Sequence, residues 1–165
     1  MLKAAIREDN YIGILNQSYT NGSSQIYGIL GEMCFQLEYP SARKETRIPD
    51  KYHYDFLLDG LRIEVKSRRF TSEIPRSYSQ MIFNTNEQEC DYYVFISVHE
   101  SLSYAWLVGY LSKHEFVLKR KPVTRGTIDD HTRTPILGDG FLVEFDSMKE
   151  LHRHKNVVRL SERRK

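Results

Sequence analysis

The sequence has few cysteines. Cys34 and Cys90 stand far apart with no CxxC spacing. A disulfide framework and a cysteine-ligated zinc site are therefore not expected, and the usage suits a reducing compartment. No apolar run approaches the ~18 residues of a membrane span, so no membrane partner is expected. The N-terminus "MLKAAIREDNYIG" is too short in apolar residues and too acidic for a secretory signal. Together these absences point to a soluble, cytoplasmic protein (in the host cytoplasm if the chain is viral). The sequence also lacks an internal repeat, a low-complexity tract, a serine-nucleophile motif, a phosphate-cradling glycine loop and a zinc-finger pattern.

The composition is that of an ordinary globular chain: 165 residues, 40% hydrophobic and 28% charged. That length suits a single domain, with a core over about residues 24–112 and an extension over 113–165. The net charge of +2 hides an asymmetry. From Leu151 to Lys165 the tail carries Arg153, Lys155, Arg159, Arg163, Arg164 and Lys165 against the single acid Glu162. Further basic clusters lie at Arg43, Lys44 and Arg47, at Arg62 to Arg69, and at Lys119, Arg120, Lys121 and Arg125. Such clusters suit a polyanion such as DNA, and a solvated face would look the same.

Hydrophobic periodicity suggests the elements. Residues 2–16 suit a short helix. "QIYGILGEMCFQLEY" spaces Ile26, Leu30, Met33 and Leu37 as one buried helical stripe. "SEIPRSYSQMIFNTNEQE" reads as a helix of about three turns with Pro75 in its first turn. "DYYVFISV" (91–98) suits a central strand covered on both faces, and "LSYAWLVGYLS" (102–112) its antiparallel neighbour. A short helix over 112–118, a long polar stretch over 119–139, the strand "FLVEF" and a helical turn in "DSMKELHRH" complete the chain. That order implies an α/β core with a mixed central sheet flanked by helices.

Between the first two long helices lies "YHYDFLLDGLRIEVKSRRF" (52–70), with Asp59-Gly60 as a favoured two-residue hairpin turn. Counting outward from that turn sets Leu58 opposite Leu61, Leu57 opposite Arg62, Phe56 opposite Ile63 and Asp55 opposite Glu64. One face then carries Tyr54, Phe56, Leu58, Leu61, Ile63 and Val65; the other carries His53, Asp55, Leu57, Arg62, Glu64 and Lys66. Directly opposed carboxylates would lie roughly 5 Å apart and repel by about 3 kcal/mol at an effective dielectric near 20. A divalent cation between them would reverse that sign. The alternative is a surface ladder in which Arg62 and Lys66 neutralise the two acids.

This constellation resembles the PD-(D/E)xK nuclease superfamily. Asp55 matches the family's strand aspartate and Glu64-Val65-Lys66 its (D/E)xK triplet. "YGILGE" resembles the family's helical "GxxGE" element and points to Glu32, while Gln80 in "SYSQMIF" is the candidate for a polar residue on the following helix. Asp50 in "IPD" is a rival to Asp55, a solvated flank is the other reading of Glu32, and Gln80 could be a plain exposed glutamine. Gly28, four residues before Glu32, would let the sheet edge or a ligand approach. The resemblance covers roughly residues 24–98 and implies a restriction-endonuclease-like core. It also implies a metal-dependent DNA endonuclease in which Asp55, Glu64 and the Val65 carbonyl hold Mg²⁺ (with Mn²⁺ as a substitute), Glu32 assists through water or a second ion, and Lys66 orients or deprotonates the attacking water. Arg43, Lys44, Arg68, Arg69, Lys119, Arg120 and Lys121 are the candidate contacts to the DNA backbone. His53 faces the same site, and His152-x-His154 suits phosphate contact or exposure. An exonuclease, a Holliday junction resolvase and a non-catalytic nucleic-acid-binding module on the same fold are the alternatives. Cutting both strands would favour a homodimer.

Overall fold

The computed structural model describes residues 1–12, 25–45, 54–71, 79–83, 88–130, 133–151 and 157–160. Helices α1 (Leu2–Ile12) and α2 (Gln25–Glu38) come first. Strands β1 (Arg43–Lys44), β2 (Phe56–Leu58), β3 (Leu61–Phe70), β4 (Ser79–Phe83), β5 (Tyr92–His99) and β6 (Tyr104–Ser112) follow. Helix α3 (Lys113–Lys119) then leads to β7 (Lys121–Val123), β8 (Gly140–Glu144) and β9 (Val157–Arg159). The architecture is mixed α/β. A six-stranded sheet in the order β1-β2-β3-β5-β6-β9 is accompanied by a three-stranded sheet β4-β8-β7. In the larger sheet β3 and β5 run parallel and every other neighbouring pair is antiparallel.

The hairpin turn forms as its sequence dictates: Asp59 (φ 50°) and Gly60 (φ 82°) both take the left-handed conformation that a two-residue primed turn requires. The register follows the expected count from Leu58↔Leu61 to Phe56↔Ile63. One face of the larger sheet buries Phe56, Ile63, Val65, Val94, Ile96, Val98, Ala105 and Leu107 against Ile29, Leu30, Cys34 and Phe35 of α2 and Ala5 of α1. The opposite face carries Tyr93, Phe95 and Leu111, which pack with Phe116 of α3 and with Ile82 and Val143 of the second sheet.

Several sequence expectations are corrected. Residues 79–83, expected in a helix, form β4, because antiparallel pairing with β8 gives Ile82 a buried place opposite Phe141. The apolar stripe of α2 is wider than its spacing suggests: Ile29, Leu30, Gly31, Glu32, Cys34 and Phe35 are all buried, while Leu37 is 57% exposed. The helix packs against α1 as well as the sheet, which narrows its solvent flank. The close approach belongs to Gly31 and not to Gly28. A Cβ on Gly31 would lie 1.7 Å from Ser67 Oγ, whereas one on Gly28 would meet nothing within 4 Å. Among the described residues after β8 only Phe145–Ser147 is helical, and Lys149 instead bridges Tyr110 as an added strand residue. At the start of α3, Ser112 and Glu115 form a reciprocal capping box.

Candidate active site

Asp55 lies immediately outside β2, where the hairpin ladder gives way. Its backbone N–H donates to the Ile63 carbonyl at 2.9 Å, the residue already level with Phe56, and its own carbonyl accepts from Glu45 N–H at 2.9 Å. Two residues thus face one, which offsets Asp55 from a square position opposite Glu64. The same offset explains why Tyr54 packs with the second apolar cluster and not beside Phe56, as strict alternation requires.

The offset turns the Asp55 carboxylate into the edge of the sheet, where Oδ2 accepts the backbone N–H of Val65 at 2.8 Å. Along β3 the carbonyls of Arg62 and Phe70 accept from Asp91 and Glu100, on the β5 side. Ile63 therefore faces β2, as its bond from Asp55 shows, and Val65 does the same by the two-residue alternation of a strand. The Val65 carbonyl projects from the edge on which the Asp55 carboxylate sits.

Glu64 and Lys66 leave β3 toward the face of Tyr93 and Phe95, their register partners on β5. Glu64 is only 7% exposed. Its Oε1 accepts from Lys66 Nζ at 2.7 Å and from Gln88 Nε2 at 2.5 Å. Gln88 is itself buried, and its backbone carbonyl accepts from Lys113 Nζ. Each carboxylate is thereby fixed through one oxygen: Asp55 through Oδ2, Glu64 through Oε1. Sequence reasoning passed over Gln88, because nothing in the polar run "NTNEQE" marks one residue above its neighbours.

The electrostatics follow from this crowding. Burial, then the charges of Glu64 and Glu32, push the Asp55 carboxyl well above the usual carboxylate range, against the opposing pull of Lys66 and the Val65 N–H. Burial alone would lower the Lys66 ammonium, but Glu64 and Asp55 outweigh it and raise its pKa above the ordinary lysine value. Glu32, 7% exposed on α2, is paired with Lys44 Nζ at 3.2 Å. It is not the solvated flank residue of the alternative reading, and it joins the acids acting on Asp55.

The charge ladder loses half its basis. Arg62 forks onto Asp91, with Nε to Oδ2 at 3.0 Å and Nη2 to Oδ1 at 2.8 Å, and its backbone N–H also binds Oδ2. It is withdrawn from Asp55 and Glu64, leaving Lys66 as the cation paired with Glu64. Among the described residues no three His, Cys, Asp or Glu side chains are grouped so as to hold a metal by themselves. The candidate donors are Asp55 and Glu64, near enough for the Glu64 charge to raise the Asp55 pKa, with the Val65 carbonyl between Glu64 and Lys66 in the chain, a hard oxygen set. Mg²⁺ suits such a set, since it keeps several waters and takes one or two carboxylates.

Gln80 lies in β4, opposite Val143, and not on a helix behind Lys66. The other candidates are dispersed. Lys44 reaches the acid cluster through Glu32, and Arg43 and Arg69 are exposed. Arg68 is tied to the buried Asp129 at 3.2 Å, which brings the long polar segment after β7 back against β3. Lys119 donates to the Ser147 carbonyl, Arg120 lies over the Phe141 ring at 4.0 Å, and Lys121 pairs with Glu144. Of the three, Arg120 packs against an aromatic ring, while Lys119 and Lys121 are exposed. Asp50, His53, His152 and His154 fall outside the described residues. No helix among the described residues is long and apolar enough to cross a membrane. No protein-family model matches the chain, and no curated protein matches it significantly.

Proposed function

We propose that the chain is a metal-dependent DNA endonuclease with a restriction-endonuclease-like core, hydrolysing phosphodiester bonds at Asp55, Glu64 and Lys66. The observation that carries this reading is the shared sheet edge. Asp55 is turned out of β2 by its two-on-one offset and bonded to Val65 N–H, beside a buried Glu64 whose Oε1 is fixed by Lys66 and Gln88. A fold with no use for such an arrangement would gain by replacing one acid, because two neighbouring carboxylates repel and are partly desolvated. Asp55, Glu64 and the Val65 carbonyl would hold Mg²⁺, with Mn²⁺ as a substitute and Glu32 nearby. When bound, the ion supplies polarisation of a phosphoryl oxygen and acidification of water.

The chain's own residues supply the rest. Lys66 is held as an ammonium by Glu64 and Asp55, so its part is to orient the attacking water and stabilise charge developing on the phosphoryl oxygens. The bond from Val65 N–H and the bonds from Gln88 and Lys66 keep the two carboxylates from rotating, which preorganises the oxygens offered to the reaction. Incubation with supercoiled plasmid, linear duplex and branched DNA, in Mg²⁺ or in EDTA, tests the proposal. Nicking of the closed circle only with Mg²⁺, abolished by Asp55→Ala and by Lys66→Ala in folded protein, is the expected result. Full activity in either variant would sink it, and DNA binding without cleavage would instead indicate a non-catalytic binding module.

A further inference from the structure

Glu32 and Lys44 meet because two elements present them to each other. On β1, Lys44 pairs with Phe56 of β2, and residues so paired lean toward the same face of a sheet. Phe56 lies on the α2 face, its ring centroid 4.9 Å from that of Phe35. Lys44 therefore leaves β1 toward α2, whereas Arg43, paired with Leu57, leaves it on the other side. On the helix, Glu32 and Gln36 are four residues apart and share one flank. Gln36 Nε2 donates to the Ala42 carbonyl at 2.5 Å, and Glu32 Oε2 lies 3.2 Å from Lys44 Nζ. Two side chains one turn apart thus fasten α2 to the start of β1.

The same pair is tied to the candidate site. The next residue, Glu45, donates its backbone N–H to the Asp55 carbonyl at 2.9 Å, and the Glu32 charge acts on the Asp55 carboxyl. The Glu32 side chain is 9% exposed and that of Lys44 36%, so solvent screens the attraction only in part. A carboxylate buried to this degree needs a cation beside it whether or not a ligand is bound. Among the described residues the cluster sets three carboxylates, Glu32, Asp55 and Glu64, against two ammonium groups, Lys44 and Lys66. When all are ionised, a single net negative charge remains. One divalent cation more than balances it. A second would have to enter a cluster already positive, in a partly desolvated setting where like charges repel strongly.

We propose that Lys44 is the built-in counter-ion of Glu32, filling the place of a second cation, so that the candidate site takes a single divalent ion through Asp55 and Glu64. This rests on the nuclease reading and deepens it. Lys44 is then a positioning residue for the acid cluster and no contact to the DNA backbone. Its effect on the number of ions bound can be measured apart from cleavage.

The test counts Mn²⁺ bound to metal-stripped, full-length protein, with free Mn²⁺ read by its paramagnetic resonance. The parent should bind one ion per chain, and Asp55→Asn should lose that site. Lys44→Met keeps the apolar stem and removes the charge; it should release Glu32 to the site and admit a second ion. Glu32→Gln added to Lys44→Met should return the count to one. In EDTA, Lys44→Met should melt below the parent, and the added Glu32→Gln should recover most of the loss, a readout that needs no metal. If Lys44→Met does not fold, Lys44→Gln replaces it. Two ions on the parent, a single ion on the folded Lys44 variant, or an unchanged melting temperature in EDTA would overturn the proposal and leave the nuclease reading standing. A parent that binds no Mn²⁺ and cuts no DNA rejects the nuclease reading, and the single-ion proposal falls with it.

Discussion

Asp55 and Val65 are joined by a bond that crosses from a side chain to a backbone: the aspartate Oδ2 accepts the valine N–H at 2.8 Å. A carboxylate thus takes the place that the next strand carbonyl would have filled, and it does so where Glu64 and Glu32 both oppose its ionisation. The edge of the hairpin is electrostatically costly.

That cost predicts the behaviour of Asp55→Asn. The asparagine oxygen can still accept the Val65 N–H, but the charge is gone. An acid whose folded pKa is raised holds its proton more tightly in the native state, so its ionisation erodes stability as pH rises above the ordinary value of 3.8. Asp55→Asn should therefore melt higher than the parent at neutral pH while losing cleavage. Calorimetry would read the gain at about 2–4 °C per kcal/mol for a chain of this size. Mg²⁺ should raise the parent's melting temperature and leave the variant's unchanged; a variant less stable than the parent at pH 7 would refute the argument.

Gln88 carries a second prediction. It and Lys66 donate to the same oxygen of Glu64, so it is a positioning residue for that carboxylate. Gln88→Ala should leave Glu64 free to rotate and raise the Mg²⁺ concentration needed for half-maximal cleavage by about 10–100-fold. Saturating Mg²⁺ should recover much of the rate. A merely structural role would lower activity at every metal concentration together with the melting temperature.

Gly31 makes a stability prediction independent of chemistry. A methyl group there would overlap Ser67 Oγ at 1.7 Å and Ser67 Cβ at 2.9 Å. Gly31→Ala should destabilise by about 1–3 kcal/mol, the usual range for overpacking. Adding Ser67→Ala removes the closer of the two contacts and should restore part of the loss, as chemical denaturation of the three variants would show. Gly28→Ala, with open space at the same distance, should be neutral or stabilising.

The acid limb of stability should be set by other carboxylates. Side-chain and backbone bonds from Arg62 bring Asp91 down from 3.8 to about 2. The Lys149 ammonium, with the Ser112 backbone and hydroxyl, brings Glu115 down from 4.5 to about 2. For depressed acids the stabilisation is present above the unfolded pKa and lost as pH falls through the folded one. The melting temperature should therefore drop as pH is lowered from about 4.5 to about 2, while protonation of Asp55 works in the opposite direction. Arg62→Met should flatten the drop; an unchanged pH profile in that variant would count against Asp91 as a contributor.

What the sequence disclosed was whatever depends on neighbours along the chain. Asp59-Gly60 determines the hairpin turn, the alternation around it determines which of Ile63, Glu64, Val65 and Lys66 enters the core, and the Ser112–Glu115 pair starts α3. The acids of the candidate site were legible for the same reason. Features made by distant residues were not. Nothing near Ser79–Phe83 announces that Gly140–Glu144 will pair with it, and the segment's local pattern suits a helix well enough. The fork of Arg62 onto Asp91, the reach of Gln88 to Glu64 and the tie between Arg68 and Asp129 span 24 to 61 residues. Side chains that meet only after the sheet has assembled leave no periodic trace.

The pairing of β4 with β8 also has a temporal side. β4 sits within the crossover that links the parallel strands β3 and β5, yet its partner is sixty residues further on. On the ribosome, β3, β5 and β6 can join while β4 still lacks a mate, with Ile82 awaiting Val143. Contacts of such separation slow folding, because a long loop must close before they contribute. A nascent chain halted before Gly140 would hold Asp55, Glu64 and Lys66 on an assembled edge with the layer beneath Phe95 unfinished. The late arrival of one short strand thus leaves the layer beneath Phe95 open until Gly140–Glu144 has been made.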